Sequence, residues 1–135
     1  MPKRGNLALC RLLRRQVFIE EQGVSEADEV DEFDEVAVHL LALWDGVPVG
    51  VARLLVEGEV GKIGRVCVLA EARGKGVGAA LIQAAVARFR GTAGVEKVKL
   101  AQAHALGFYE VLGFGAVGEV YDDAGISHRD MVMML

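Results

Sequence analysis

A glycine-rich turn between residues 73 and 78 is the part of this sequence best suited to chemistry. Its sequence is Arg73-Gly74-Lys75-Gly76-Val77-Gly78, after an apolar β-type run and before a helical pattern. Glycines let a backbone approach a ligand closely, and the first N–H groups of a helix have no partner within the helix. These groups, the helix dipole and the two basic side chains together favour an anion. The turn therefore predicts a site for a phosphate or pyrophosphate.

Two nucleotide-binding motifs can be compared with this turn. A Walker A loop needs Ser or Thr after Gly-Lys, whereas Gly76 follows Lys75 here, so that motif is excluded. The dinucleotide fingerprint G-x-G-x-x-G/A is matched formally by Gly74, Gly76 and Ala79. However, it lies in mid-chain, and too little sequence follows it for a doubly wound domain. A tight strand-to-helix turn without any ligand is the purely structural interpretation.

Periodicity indicates the elements that hold this turn in place. A helical stripe covers Asn6 to Glu20, and three β-type runs separated by tight turns predict an antiparallel meander. Those runs are Val36 to Trp44, Val47 to Val56 and Val60 to Leu69. A helix begins at the turn and runs to about Arg90. It is followed by a strand over Lys97 to Ala101 and a helix over Gln102 to Leu112. The last two strands are Phe114 to Tyr121 and Arg129 to Leu135, on either side of a loop at 122–125. The fold class is therefore α/β with a mixed sheet.

Two blocks of sequence resemble one known superfamily. The spacing Arg73-x-x-Gly76-x-Gly78 resembles the Q/R-x-x-G-x-G/A signature of the GNAT superfamily of N-acetyltransferases. The preceding residues 65–69 resemble the strand beside the pantetheine arm of coenzyme A, and residues 102–114 resemble the second conserved block. Residues 13–23 and 125–131 further resemble small bacterial acetyltransferases of the ElaA type. The resemblance covers residues 7–135, but the strand that normally precedes the first helix is missing or very short here.

The resemblance implies a fold and a reaction. It implies a single GNAT domain over residues 1–135, with a mostly antiparallel central sheet flanked by helices and splayed at the acetyl-CoA site. An acetyl group would pass from acetyl-CoA to a primary amine by direct transfer in a ternary complex, without a metal. A non-catalytic acyl-CoA-binding or regulatory module on the same scaffold is the main alternative. A nicotinamide-dependent enzyme is the weaker one.

The resemblance also assigns cofactor-binding residues. The backbone of the glycine-rich turn would cradle the pyrophosphate, with reinforcement from its basic side chains, and the preceding strand would pair with the pantetheine. The amide of Val68 would polarise the thioester carbonyl, a kind of contribution that is often the largest in catalysis. The assigned residues are Val66, Cys67, Val68, Arg73, Gly74, Lys75, Gly76, Val77, Gly78 and Ala79.

Tyr109 is the candidate general acid. It matches the tyrosine that protonates the departing thiolate in many superfamily members. A phenol with a pKa of ~10 is protonated at neutral pH and can donate to a thiolate. The alternative is a core tyrosine, because Phe108 and Phe114 beside it have the character of core residues.

The acceptor amine must lose a proton, and two residues are candidates for the base or for holding the amine. Glu21 lies in the ElaA-like block, and His128 is the second candidate because histidine is the usual side chain for proton transfer near neutral pH. Each also has an ordinary interpretation, Glu21 as a solvated acid and His128 as a turn or strand-end residue. We expect His39 and His104 to be structural. Cys67 is expected to be a buried apolar residue without a covalent role.

Charge is distributed unevenly along the chain. Residues 20–35, the acidic segment, hold nine Asp and Glu and no Lys or Arg, so the other ten acids share the rest of the chain with all 15 basic residues. The net charge of −4 is thus the sum of −9 in the acidic segment and +5 in the rest of the chain. Because this region borders the acceptor side in GNAT folds, we expect it to favour a cationic amine, either a small molecule or a protein amine.

Several classes of protein are disfavoured by composition. No basic stripe with aromatic platforms indicates nucleic-acid binding, and the longest charge-free run is too short to span a membrane. Cys10 and Cys67 lack the spacing of a metal site or disulfide framework. Without a visible signal peptide, we expect a cytoplasmic protein. A Val- and Met-rich final strand at a sheet edge would provide a surface for a homodimer.

Overall fold

The protein, seen in a computed structural model, is described over residues 2–4, 7–25, 32–102, 106–123 and 126–135. Seven strands form one sheet in the order β1-β2-β3-β4-β5-β7-β6. Only β4 and β5 are parallel, and every other neighbouring pair is antiparallel. The strands are β1 (Pro2–Arg4), β2 (Val38–Trp44), β3 (Val47–Glu57), β4 (Val60–Val68), β5 (Lys97–Gln102), β6 (Gly115–Asp123) and β7 (Ile126–Met134). The predicted mixed, mostly antiparallel α/β fold is confirmed.

Three helices accompany the sheet: α1 (Leu7–Arg14), α2 (Val77–Arg90) and α3 (Leu106–Val111). A π-helical segment, Arg15–Glu21, continues α1, and short 3-10 turns lie at Glu32–Glu35 and Ala70–Ala72. In the described part of the chain, no helix has both the length and the apolar character needed to cross a bilayer.

The predicted meander forms because its turns have the right residues. Asp45 and Gly46 both have positive φ, 50° and 80°, and two such central residues make the turn that suits the twist of a two-residue hairpin. The β2–β3 and β3–β4 pairs are antiparallel as expected. This meander brings β4, which precedes the glycine-rich turn, to the middle of the sheet.

Helix α2 packs on one face of the sheet. Leu81, Ala85 and Phe89 lie in the same buried cluster as Ile63 and other strand residues. Phe89 lies directly over Gly61, where an added Cβ would come within 2.5 Å of its ring. Only glycine allows the last turn of α2 to approach the beginning of β4 this closely, and this contact fixes the helix against the sheet.

Helix α1 covers the opposite face. Cys10, Leu13 and Val17 pack against Val51 and Cys67 of the two central strands. Neither cysteine forms a disulfide, and burial raises the pKa of the Cys10 thiol. Cys67 is buried in this cluster, which agrees with the expectation of a small apolar core residue.

Asp34, in the acidic segment, does not face solvent. Its side chain is 1% exposed and accepts hydrogen bonds from Arg14 at 2.8 Å, Arg53 at 3.1 Å and Arg11 at 3.3 Å. His39 Nε2 lies 2.7 Å from the Asp34 carbonyl oxygen, so this buried histidine is structural, as expected. Asp34 is therefore a buried anchor of the 3-10 turn, and its carboxylate contacts arginines of the protein instead of contributing to the cationic-acceptor preference expected of the acidic segment.

Other local predictions need correction. The final strand, β7, lies between β5 and β6, so it is not the sheet edge proposed for a homodimer. Strand β5 runs through Gln102 and α3 begins only at Leu106, later than predicted. Asp122 and Asp123 belong to β6 instead of a loop. A three-residue strand, β1, does precede α1 and pairs with β2.

Candidate active site

The glycine-rich turn leads into an uncapped helix start. Gly74 and Gly76 both have φ of 80°, a conformation that residues with side chains rarely adopt. Gly76 precedes α2, and its carbonyl accepts the helical bond from Ala80. Ala80 is thus the first residue whose N–H has an acceptor within the helix, and the N–H groups of Val77, Gly78 and Ala79 have no helical acceptor. Such N–H groups at a helix start are donors suited to an anion.

Strands β4 and β5 separate beside this turn. Their parallel ladder pairs Val60 with Lys97 and ends where Ile63 pairs with Leu100, although β4 continues to Val68. A shift in the β3–β4 register accompanies the positive φ of 50° at Arg65, as in a β-bulge. We call the space between the diverging strands the opening. It exposes a backbone edge in the centre of a sheet, where an extended ligand can take the place of a strand.

The backbone of Val68 faces the opening. The bond from the Leu69 N–H to the Val49 carbonyl makes Gly50 and Val68 a non-hydrogen-bonded pair of the antiparallel ladder. The N–H and C=O of Val68 therefore point away from β3. The carbonyl already accepts a 3.0 Å hydrogen bond from Arg73 Nε, which is consistent with this direction. The N–H is a donor suited to a ligand carbonyl.

Gly78 links the helix start to the other two parts of the site. A Cβ at Gly78 would lie 3.8 Å from Phe108 Cζ and 4.0 Å from Val68 Cγ2. The first turn of α2, the end of β4 and helix α3 thus converge. Tyr109 of α3 is 6% exposed, and its ring is edge-on to Phe108 and to Phe114 at centroid distances of 5.0 and 6.4 Å. Tyr109, the predicted acid, thus directly follows the residue of α3 that contacts the start of α2, and its own ring packs as a core residue does.

Glu21 and Arg73 form a bidentate ion pair. Both guanidinium–carboxylate distances are 2.6 Å, between groups 52 positions apart in sequence. The hydrogen bonds from Arg73 lower the pKa of Glu21, which makes this carboxylate a weaker base. Arg73 therefore ties the end of the π-helical segment to the end of β4. Neither sequence block revealed this contact, because each partner belongs to a separate motif.

His128 lies in a different environment. It pairs with Tyr121 in the β6–β7 ladder, and the two rings are stacked at a centroid distance of 6.1 Å. His128 is one residue before Arg129, whose pairing with Gln102 is the last of the β5–β7 ladder. Because β4 and β5 are parallel, this is the end of the sheet at which the opening lies. His104, expected to be structural, falls outside the described residues.

Lys75 extends from the turn over the side chain of Trp44 in the β2–β3 hairpin. Its Nζ lies 5.1 Å from the centroid of the Trp44 ring, a distance typical of a cation–π contact. Within the described residues, no group of three or more His, Cys, Asp or Glu side chains is arranged to hold a metal ion.

Comparison with known proteins decides the family. The model of the acetyltransferase (GNAT) domain matches residues 14–135. The chain belongs to the GNAT acetyltransferase family. A Bacillus subtilis protein named as an acetyltransferase is 40% identical over 120 residues, which cover 86% of this chain and 81% of that protein.

Solved GNAT structures share the fold. ElaA from Escherichia coli is 32% identical, with a TM-score of 0.82 over 94% of this chain and 88% of that one. An acyl-CoA N-acyltransferase from Pseudomonas aeruginosa is also 32% identical, with a TM-score of 0.84 over 98% of this chain and 97% of that one. The predicted GNAT membership and ElaA-type similarity are confirmed, and the GNAT protein is an acyltransferase by family.

Proposed function

We propose that this GNAT protein transfers an acetyl group from acetyl-CoA to a primary amine by direct attack within a ternary complex. The observation that carries the proposal is the opening between β4 and β5, which begins beside the uncapped start of α2. An extended pantetheine can pair with the edge of β4 while its pyrophosphate lies on the N–H groups of residues 74–79. The similarity to an acyl-CoA N-acyltransferase supports the same donor.

In this proposal each step has a group to perform it. The Val68 N–H, which faces the opening, donates to the thioester carbonyl and stabilises the negative charge that develops there. The amine nitrogen attacks the carbonyl carbon, the C–N bond forms, and the C–S bond breaks with its electron pair on sulfur. Tyr109 then gives its phenolic proton to the thiolate. The excess proton on the amine nitrogen passes to a base, for which we propose His128.

Glu21 has a supporting part in the proposal. Because both of its oxygens are held by Arg73, we assign it to positioning that arginine at the mouth of the opening. Arg73 also contacts the Val68 carbonyl, so the ion pair can influence how the donor lies along β4. The first direct test is release of free CoA thiol from acetyl-CoA in the presence of a panel of amines. Acetyl-CoA binding without turnover on any amine would favour a non-catalytic coenzyme-binding module instead.

A valine at position 76 should weaken acetyl-CoA binding by about tenfold or more. Gly76 has φ of 80°, so a β-branched side chain is strained there and shifts the N–H groups that precede α2. Gly58 is the matched control, since it has φ of 60°, equally open surroundings and a position in the distant β3–β4 turn. Calorimetric titration with acetyl-CoA should give a higher Kd for Gly76→Val only. Equal affinities in the two variants would contradict the assignment of the loop.

Replacing Glu21 by Gln should preserve the pH dependence of kcat. The exposed ion pair with Arg73 contributes little to stability, so Tm should hardly change, and we expect kcat to fall by less than about tenfold. His128→Gln is the comparison variant. Its kcat should fall on the order of 10²-fold, and the acidic limb of its pH profile, the decline of kcat at low pH, should disappear. If the limb disappears in Glu21→Gln and survives in His128→Gln, Glu21 is the base.

A further inference from the structure

An open pocket of about 230 Å³ lies on the sheet at the apex of the opening. Gly64 and Ala101 contribute to it from β4 and β5, and they directly follow the last parallel pair, Ile63 and Leu100. A Cβ at Gly64 would meet nothing within 4 Å. The pocket therefore exists because two neighbouring strands carry glycine and alanine where adjacent positions carry longer side chains.

Strand alternation determines which face the pocket occupies. Ile63 and Leu100 point into the core beneath α2, so Gly64 and Ala101 point to the opposite face. The opening passes between the two strands, so a molecule in the pocket can reach a thioester held along β4. We call this site the basic pocket because of the side chains around it.

The basic pocket is lined by three cations and one carboxylate. Arg53, Lys62 and Lys99 are the cations, and the β4–β5 register sets the two lysines side by side. Asp130 is the carboxylate, and both of its oxygens are occupied: Oδ1 accepts from the Tyr121 hydroxyl at 2.6 Å and Oδ2 from Lys99 Nζ at 3.1 Å. The acid that could attract a cationic acceptor is thus already satisfied within the protein.

Cations outnumber carboxylates three to one among the described residues that line this pocket. Arg53 is paired with Asp34, which also contacts Arg14 and Arg11. The partner of Lys62 is Glu57 at 2.6 Å, whose side chain is 75% exposed, and such surface pairs are weak and easily exchanged. Burial raises the pKa of Asp130, but its bonds to Tyr121 and Lys99 outweigh burial and hold that pKa below its ordinary value. Within the part of the chain that the structure describes, the balance of charge lining the pocket is positive.

We propose that the basic pocket binds an anionic group, a carboxylate or a phosphate, on the acceptor, so that the preferred acceptors are amines that also carry a negative charge. This inference rests on the proposed acetyl transfer. It replaces the cationic acceptor expected from the acidic segment, whose buried Asp34 carboxylate is held by arginines. Lys62 is the residue on which recognition should depend most, because its present partner is exposed.

Matched acceptors test this proposal. Each pair differs by one anionic group, and the member with that group is called anionic and the other neutral. β-Alanine is compared with β-alaninamide, glycine with glycinamide and phosphoethanolamine with ethanolamine, and spermidine serves as the cationic probe. We expect kcat/KM to favour the anionic member of at least one pair by about tenfold or more, the scale of a charge-assisted hydrogen bond. The amino acid pairs report a carboxylate and the third pair a phosphate. Preference for spermidine or for all the neutral members would overturn the proposal.

Variants connect the preference to the pocket. Lys62→Met should reduce the anionic-to-neutral ratio by about tenfold while the KM for acetyl-CoA stays the same. Lys97→Met is the control, because Lys97 lies two residues before Lys99 on β5 and does not line the pocket. Gly64→Val, which fills the space without a strained φ, should lower kcat/KM for every acceptor. An equal ratio in Lys62→Met and the wild type would overturn the assignment.

A binding measurement separates this inference from the proposed function. If no amine is acetylated, acetyl transfer fails, and the pocket is then tested by calorimetry with N-acetylglycine, the uncharged N-acetylglycinamide and N-acetylphosphoethanolamine. Binding of a charged compound that weakens in Lys62→Met but not in Lys97→Met supports the basic pocket by itself. Failure of both charged compounds to bind, or binding that Lys62→Met does not change, overturns it.

Discussion

Replacing Asp34 by Asn lowers the free energy of unfolding by about 3–5 kcal/mol, the cost of removing one partner from a buried ion pair. Arg14 is 1% exposed and Arg53 is 7% exposed, so the substitution removes a carboxylate charge that two buried guanidinium groups contact. A small domain has a total stability of about 5–15 kcal/mol, so this variant should be close to unfolding at 37 °C. Urea denaturation measures the change. Glu35→Gln, in the same 3-10 turn but exposed, is the control and should change stability by less than about 0.5 kcal/mol.

The same carboxylate should determine stability in acid. Burial raises the pKa of Asp34, but the hydrogen bonds and charge of Arg14 and the bonds from Arg53 and Arg11 more than offset it and lower the pKa to about 2. A depressed folded-state pKa means that the stabilisation is complete above the unfolded value of ~3.9 and is lost as pH falls through the folded value. Wild-type stability should therefore drop between about pH 4 and pH 2. If Asp34→Asn shows the same drop, or is as stable as Glu35→Gln, the buried anchor has been misassigned.

Replacing Tyr109 by Phe should lower kcat by about 10²–10⁴-fold, the range for loss of a general acid. The variant keeps an aromatic ring in the edge-on arrangement with Phe108 and Phe114, so the core should remain packed. The Kd for acetyl-CoA and Tm should therefore stay close to the wild-type values, which separates a lost proton donor from a lost fold. Steady-state kinetics together with thermal denaturation make the comparison. An unchanged kcat would remove Tyr109 from the mechanism.

The local signals in the sequence predicted the structure where neighbouring residues determine it. Asp45-Gly46 specified a hairpin because both positions must have positive φ, and glycines 74 and 76 specified a turn for the same reason. Regular alternation indicated the strands on either side. The glycine-rich turn could therefore be located, and an anion proposed for it, from the backbone properties of glycine and of helix ends alone.

The features that sequence did not reveal depend on contacts between distant segments. Nothing in the alternation of β7 indicates that it inserts between β5 and β6, where Met131 becomes completely buried. Asp34 of the acidic segment becomes buried because arginines from α1 and β3 converge on it. Glu21 and Arg73 meet across 52 positions, and the basic pocket requires Gly64 and Ala101 to be neighbours in a parallel register that local sequence does not specify.

The central claim, that an acetyl group passes from coenzyme A to an amine nitrogen at the opening between β4 and β5, is tested most directly by following the acetyl group itself. The protein is incubated with isotopically labelled acetyl-CoA and the matched amines, and the products are identified by mass spectrometry. We predict labelled N-acetyl product in equal amount to free CoA thiol, with little of either from Tyr109→Phe. Label recovered only as acetate, on the protein, or still on coenzyme A with every amine would contradict the claim.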